Sequence, residues 1–134
     1  MRVLPGAKMD DFSDEFFSTA FEVSSQSDRM GVRLGGAPLS RRTTREIASM
    51  AVVPGTIQVP PDGQPIVLMA DAQTIGGYPQ IAHVISADLP LVAQLRPGDT
   101  VRFRKVTLSE AHELLLARER DLAMLRQGLL LKFS

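Results

Sequence analysis

The sequence of 134 residues contains no cysteine. Disulfide bonds, thiolate catalysis and cysteine-ligated metal sites are therefore excluded. The two histidines, His83 and His112, lie far apart in the chain and lack the short spacing of zinc-binding pairs, so we expect no metal site. Established catalytic signatures such as a P-loop, GxGxxG, GxSxG or HExxH are also missing.

Long apolar runs and an excess of one charge sign are missing too. No run approaches the ~20 apolar residues of a membrane-spanning helix, and the N-terminus has no apolar signal region. Fifteen basic residues balance fifteen acidic ones, whereas proteins that bind nucleic acid or anionic membranes have basic excess. We therefore expect a cytoplasmic protein that binds neither nucleic acid nor membrane.

Short β-type runs separated by proline and glycine turns dominate the chain. The clearest signal is a hairpin in which strands 56–59 and 66–69 flank the Asp62-Gly63 turn. Further strands are expected at 2–4, 21–25, 31–34, 81–85 and 101–106. These runs predict a mainly β fold over residues 1–107, a small barrel or sandwich, with the hairpin at its centre and the apolar face of the hairpin inward.

Three helical segments complete the prediction. Residues 10–20 and 88–95 are expected to form short helices, the second capped by Asp88. A capping box that begins at Thr107 starts a C-terminal helix, which Gly128 is expected to end, leaving a short apolar tail. Residues 108–134 are thus treated as a C-terminal helix and tail beside the barrel.

Polar side chains that bind small ligands are concentrated in the segment from Ser24 to Gly31. Arg29 suits the clamping of a carboxylate, and Gln26 suits the orientation of an amide or ureido group. The alternative is an ordinary polar turn with an internal contact between Asp28 and Arg29.

Two further groups of polar residues flank the predicted hairpin strands. Period-two alternation places Gln58 opposite Ile57 and Val59, so it faces either solvent or a cleft; the alternative is a plain surface glutamine. In the segment 71–79, Asp71 suits the role of a base or acceptor, and backbone N–H groups at the paired glycines can approach a ligand closely. The alternative is a wide connection in which Tyr78 is a packing plug.

Together these groups predict one substrate cleft. Asp71 and Arg29 are the expected catalytic residues. The expected substrate-binding residues are Ser25, Gln26, Gln58, Gln73, Thr74, Gly76, Gly77 and Tyr78.

Several strings of the sequence, taken in order, resemble one family. This family is the C-type subunit of 5-oxoprolinase, also described as allophanate hydrolase subunit 2 or biotin-dependent carboxyltransferase. The strings are RVLPG at 2–6, SSQSDRMGVRL at 24–34, VPGTIQVP at 53–60, GQPIVLMADAQT at 63–74 and GGYP at 76–79.

The resemblance implies a cyclophilin-like β-barrel that acts on a small amide, lactam or ureido substrate together with a B-type partner subunit. It implies that ATP or carried biotin belongs to the complete complex, and no cofactor is expected to bind securely to this chain. Family members also have a front half that this sequence lacks, so we expect a hetero-oligomer component that is inactive alone. A non-catalytic regulatory module, which binds a homologous partner resembling a kinase inhibitor, is the alternative.

Overall fold

The structure is a computed structural model that describes residues 1–43, 47, 49–72 and 75–133. Ten strands lie in this part of the chain, namely β1 (Arg2–Pro5), β2 (Phe21–Val23), β3 (Gly31–Gly35), β4 (Met50–Ala51), β5 (Thr56–Gln58), β6 (Ile66–Leu68), β7 (Ile75–Gly76), β8 (Gln80–Val84), β9 (Thr100–Val101) and β10 (Arg104–Lys105). The α-helices of the same part are α1 (Glu15–Ser18), α2 (Leu89–Ala93) and α3 (Leu108–Phe133). Short 3₁₀ turns at Met9–Asp11 and Ser86–Asp88 precede α1 and α2.

Eight of the strands form one sheet in the order β10-β1-β8-β5-β6-β3-β2-β9. The β1–β10 pair is parallel and the other pairs are antiparallel. β5 and β6 occupy the middle of this order, which confirms the predicted central hairpin. β4 and β7 pair separately as a two-stranded ribbon.

The two edges of the sheet are linked by a very short piece of chain. β9 pairs with β2 at one edge, and β10 pairs with β1 at the other, yet only residues 102 and 103 separate β9 from β10. Three residue steps reach about 10 Å at most, so the sheet must curl until its edges approach each other. The mainly β, barrel-like fold with a C-terminal helix is therefore confirmed. The single strand predicted at 101–106 is wrong, because its halves pair with opposite edges.

The hydrophobic core fills the inside of the curl. Strand alternation sends Val32, Ile57 and Val67 inward, and all three are buried, as predicted for the hairpin. Phe16 of α1 stacks on Phe103 with 4.6 Å between ring centroids, which places an aromatic cluster where the sheet edges approach.

The helix predicted at 10–20 is wrong in extent. Phe12 adopts an extended conformation with φ −118° and ψ 158° and forms an isolated β-bridge with Arg41. The Asp11 carboxylate accepts hydrogen bonds of 3.2 Å from Nε and Nη2 of Arg41. These pairings, which are distant in sequence, hold residues 11 and 12 out of the helix, and only α1 is α-helical.

Asp88 has a different role from the predicted helix cap. It makes no side-chain cap bond, and its carboxylate is buried against Arg2. Oδ2 accepts from the backbone N–H of Arg2 at 2.8 Å and from Nε at 3.0 Å, and Oδ1 accepts from Nη2 at 2.5 Å. This ion pair fixes β1 to the corner that leads into α2.

α3 starts where the capping box predicted it. The Glu110 N–H donates to Thr107 Oγ1 at 3.1 Å. The predicted end at Gly128 is wrong, because the helix runs on to Phe133. Gly128 does not adopt the positive φ of a glycine cap, and a Cβ there would have no neighbour within 4 Å.

Only the first turns of α3 pack on the sheet. Ala111 and Leu114 contact Ile85 and Val106, and Arg118 Nη1 donates to the Ser86 carbonyl at 3.3 Å. The helix has 26 residues and is therefore about 39 Å long. Its second half projects away from the sheet with exposed leucine and methionine side chains.

Acid sensitivity of the fold is expected in two separate pH windows. Burial opposes ionisation of Asp88, but hydrogen bonds from Arg2 outweigh it and hold the pKa of this carboxyl below its ordinary 3.8. The stability from this pair is present above pH 3.8 and is lost as the pH falls through the folded-state pKa. Burial lowers the pKa of His83 from 6.5, so stability is also lost as the pH falls below 6.5.

Asp88→Asn should therefore abolish the loss of stability below pH 3.8, and His83→Gln should abolish the loss below pH 6.5, in urea unfolding curves measured from about pH 2 to 8. At neutral pH, Asp88→Asn should also lower the free energy of unfolding by about 3 kcal/mol, because Arg2 loses its carboxylate. Asp10→Asn, at an exposed position, serves as the control. Wild-type acid sensitivity in Asp88→Asn would show that other carboxylates determine it.

The tight turn of the central hairpin gives a second test. Gly63 has φ +77°, and a Cβ there would lie 2.8 Å from the Leu39 carbonyl oxygen. Gly98 has φ +91°, but a Cβ there would meet nothing within 4 Å. Gly98→Ala should thus cost about 1 kcal/mol of backbone strain, and Gly63→Ala about 3 kcal/mol, because overpacking adds to strain. Equal losses in urea unfolding would refute the close packing of this turn against Leu39.

Candidate functional site

A cavity of about 500 Å³ lies on the face of the sheet that points away from the core. Because side chains alternate along each strand, residues next to the inward Val32, Ile57 and Val67 point outward here. The described residues that line it are Asp28, Met30, Gly31, Arg33, Val52, Gln58, Ile66, Leu68, Ala72, Gly77 and Tyr78.

The floor of the cavity is a row of side chains across adjacent strands. Arg33 of β3 is opposite Ile66 of β6, and Ile66 is opposite Gln58 of β5. Gln58 is in turn opposite Gln80 of β8. Directly opposed Cβ atoms are about 5 Å apart, so the Arg33 and Gln58 stems stand about 10 Å apart with Ile66 between them.

The β4–β7 ribbon forms one wall. Val52 follows β4 and Gly77 and Tyr78 follow β7, so the ends of both ribbon strands reach the cavity. The Gln80 side chain holds the ribbon to the sheet, since Nε2 donates to the Ala51 carbonyl at 3.2 Å. The segment predicted as a loop at 71–79 therefore contains a short strand that positions the glycines and Tyr78.

Gln58 is the most unusual residue of the floor. Its side chain is only 5% exposed and lines the cavity, so it faces the cleft and the surface alternative is wrong. Its Nε2 atom is buried and finds no hydrogen-bond partner among the described residues. Buried polar groups in native proteins are normally hydrogen-bonded, so an unpaired amide at a cavity floor indicates a position that a ligand or water completes.

Neighbouring buried polar groups are paired within the protein. Thr56 Oγ1 accepts from the Val53 N–H at 3.2 Å and lies 3.3 Å from Nδ1 of His83. Since burial lowers the pKa of His83, its ring is neutral, and Nδ1 can accept the Thr56 hydroxyl proton. His83 of β8 is therefore a histidine whose ring is hydrogen-bonded to Thr56 of β5.

The polar segment before β3 is held by its own hydrogen bonds. Asp28 Oδ1 accepts from the N–H groups of Met30 at 2.8 Å and Gly31 at 3.2 Å. Ser27 Oγ accepts from the Arg33 N–H at 2.9 Å. Arg29 is exposed and is not among the described lining residues, although its neighbours Asp28 and Met30 both line the cavity.

The remaining predicted residues occupy different places. Ser25 is exposed, and Gln26 lines a smaller pocket of about 150 Å³ that shares Arg33 and Ile66 with the first cavity. Asp71 is exposed and is likewise not among the described lining residues, although the adjacent Ala72 is. Gly76 pairs with Met50 in the ribbon. Gln73 and Thr74 lie outside the described residues.

Gln64 contrasts with Gln58. Its Oε1 accepts from the Gly36 N–H at 3.1 Å, and its Nε2 donates to the Gly36 carbonyl, also at 3.1 Å. Both ends of this amide are therefore engaged by the backbone of a neighbouring loop, and Gln64 is a structural clamp.

Arg33 was missed by the sequence analysis. Its side chain lines the cavity, and no carboxylate in the described ranges forms an ion pair with it. The sequence pattern does indicate this position, because Arg33 stands between the inward residues Val32 and Leu34 on an alternating strand and therefore points outward. An outward arginine on the same face as Gln58 gives the floor one permanent positive charge.

A second cavity of about 800 Å³ adjoins the first. The two share Gly77 and Tyr78, and the Tyr78 side chain is 46% exposed, so it stands between them. The second cavity is bordered by the proline-rich hairpin loop at 60–63 and by residues 38–41. Tyr78 lines both spaces, and its exposure is not that of the packing plug considered as the alternative.

The described residues contain no group of three or more His, Asp or Glu side chains that could hold a metal ion. No helix in the same part of the chain is long and apolar enough to cross a membrane.

Comparison with known proteins agrees with this architecture. Residues 1–105 match the family model described as carboxyltransferase domain, subdomain A and B. The chain is 48% identical to the C-type subunit of 5-oxoprolinase from Escherichia coli (strain K12) over 115 residues, which cover 83% of this chain and 37% of that protein. It is 44% identical to the corresponding 5-oxoprolinase polypeptide of Haemophilus influenzae over 131 residues, which cover 95% of this chain and 42% of that protein.

A solved structure supports the same assignment. The crystal structure of K. lactis urea amidolyase superposes with a TM-score of 0.81 at 27% identity, over 90% of this chain and 8% of that one. The chain thus spans less than half of the length of each of these relatives. With its family model matched over most of its length, the chain belongs to the carboxyltransferase domain family, subdomain A and B.

Proposed function

We propose that the chain is a component of a complex that acts on a small amide, lactam or ureido substrate. The observation that carries this proposal is the cavity floor, where the buried, unpaired Nε2 atom of Gln58 and the side chain of Arg33 share one face of the sheet. The chain that forms this sheet belongs to the carboxyltransferase domain family. Relatives of this chain are the C-type subunits of 5-oxoprolinase and urea amidolyase. Their names concern a lactam and a ureido compound, which both contain an amide-type C–N bond.

In the proposed mechanism, electrostatic stabilisation does most of the work. Arg29, next to the lining residues Asp28 and Met30, holds a substrate carboxylate together with Arg33 of the floor, and backbone N–H groups of Gly76 and Gly77 polarise the carbonyl. Asp71, next to the lining residue Ala72, accepts or delivers a proton. Ser25, Gln26, Gln73 and Thr74 are kept as proposed substrate contacts from adjoining segments.

The chemistry also needs groups that this chain does not supply. The sequence has no phosphate-cradling loop, so ATP or carried biotin is assigned to other parts of the complex. Because the chain covers 37% and 42% of its 5-oxoprolinase relatives, we propose a front-half polypeptide and a protein like the B-type subunit of that enzyme as partners.

The projecting half of α3 offers a surface for the front half. Leu122, Leu125 and Leu129 recur at spacings of three and four residues, so they share one face, and all are exposed. Nearer the N-terminus of α3, the same face of the helix packs on the sheet through Ala111. An apolar stripe that continues past the edge of the sheet is suited to packing against a second folded unit beside the sheet. We assign this place to the front half, because the front half accounts for the additional length of the relatives.

Reconstitution tests the proposed function. The chain mixed with a front half and with the other subunits of a 5-oxoprolinase, the B-type one included, should restore ATP-dependent ring opening of 5-oxoproline, whereas the chain alone should show none. Arg29→Ala should lower turnover at least tenfold, because lost stabilisation of this kind typically costs about 10²-fold or more.

Arg96→Ala, in the turn before β9, is the matched control and should leave turnover unchanged. Full activity of Arg29→Ala would remove Arg29 from the mechanism. Activity of the chain alone would refute the need for partners.

The proposed docking face of α3 is tested by paired substitutions. Leu125→Lys should abolish association with the front half in light-scattering measurements, because a charge is placed in an apolar interface. Met124→Lys, which changes a neighbouring side chain about 100° around the helix, should leave association intact. Equal behaviour of the two variants, or a dimer of this chain that excludes the front half, would refute the assignment.

A further inference from the structure

The buried amide of Gln58 requires an explanation that the protein itself does not supply. The buried polar residues beside it, Thr56 and Gln80, each have a hydrogen-bonded side chain, but Gln58 Nε2 has no partner among the described residues. An unpaired buried donor keeps its full desolvation cost. Such a group brings no benefit to the fold alone, and the cavity that it lines is where a benefit can arise.

The chemistry of a carboxamide defines what would satisfy it. The group carries two donors and one acceptor oxygen in one plane. A half-turn about the last side-chain bond exchanges the two ends at little cost, since this torsion is broad and roughly two-fold. A ligand with an N–H and a C=O on the same edge, as in a lactam, can therefore pair with both ends at once.

The Arg33 guanidinium gives the floor a second point of recognition. Its stem lies about 10 Å from that of Gln58 in the same cross-strand row, with the apolar Ile66 between them. Both side chains are long enough to approach each other over this apolar strip. Guanidinium groups bind carboxylates in a bidentate manner, so the row offers an amide-pairing end and a carboxylate-binding end.

We propose that Gln58 and Arg33 determine specificity, and that together they select a small amide or lactam that also carries a carboxylate. This inference deepens the proposed function and rests on it. It distinguishes carboxylate-bearing amides from neutral ureas, which offer nothing to Arg33.

Four probes separate the two recognition points. 5-Oxoproline has a lactam and a carboxylate, proline has the carboxylate without the ring carbonyl, 2-pyrrolidone has the lactam alone, and urea is a neutral amide. Ligand-observed NMR titration of the full chain should show 5-oxoproline binding at least tenfold more tightly than each of the others, because a site built for hydrogen bonds rejects analogues that leave them unmade.

Two near-isosteric variants then assign the roles. Gln58→Met should remove most of the preference for 5-oxoproline over proline, and Arg33→Met should remove most of the preference over 2-pyrrolidone. Gln127→Met and Arg126→Met make the same replacements on the projecting helix and should preserve both preferences.

Stability separates recognition from a structural role. Gln58→Met should raise the urea midpoint of the unliganded chain, because an unpaired buried amide is replaced by an apolar side chain of similar size. A lowered midpoint with unchanged ligand preferences would mean that Gln58 supports the fold, directly or through a bound water, and would overturn the proposal. Binding of none of the four probes would overturn it as well.

The outcomes also separate this inference from the proposed function. The predicted pattern of preferences without turnover in the reconstituted complex would refute the proposed activity and retain the recognition site. If a complex that contains both Gln58→Met and Arg33→Met turns over substrate and keeps the wild-type ligand preferences, the proposed activity is retained and the recognition site is refuted.

Discussion

The site depends on one constraint, which is that buried polar side chains on the outward face of the central strands need hydrogen-bond partners. The hairpin of β5 and β6 has the core on one face and the ribbon and loops over the other, so polar side chains on the second face are buried as well. Thr56 meets His83, and Gln80 meets the Ala51 carbonyl. Gln58 lies between these pairs and has an unsatisfied amide. The fold therefore accepts a local cost at the floor of its cavity.

The curl of the sheet explains how a chain of this length builds such a face. Phe103 belongs to the two-residue connection between β9 and β10, which lie at opposite edges of the sheet, and its side chain packs in the core. Because this connection is so short, it brings the two edges together. The aromatic contacts of Phe16 support this closure from α1. The ion pair of Asp88 with Arg2 then fixes the first strand to the α2 corner. Strand pairing fixes the spacing of the outward side chains on β3, β5 and β6, and a recognition row requires such fixed spacing.

Local features of this fold were predictable from the sequence, and those that depend on distant contacts were not. The central hairpin was predictable because its Asp-Gly turn and its alternation lie in one short stretch of chain. The burial of Gln58 was not, because it depends on the ribbon at 50–51 and 75–76, whose strands are too short to show a pattern. The helix at 10–20 failed because Arg41 draws Asp11 and Phe12 out of it. The alternation of β3 places Arg33 on the outward face, but the nearby Arg29 lies in a more polar segment, and polarity alone favours Arg29 as the site residue.

The central claim is that the Gln58 carboxamide binds the substrate amide. It is tested most directly by ¹H–¹⁵N NMR of the side-chain amide groups in the full chain, with Gln58 assigned from the Gln58→Met spectrum. Saturation with 5-oxoproline should shift both Gln58 side-chain N–H resonances while those of Gln64, which are engaged by Gly36, stay in place. Unshifted Gln58 resonances under conditions where 5-oxoproline is bound would contradict the account.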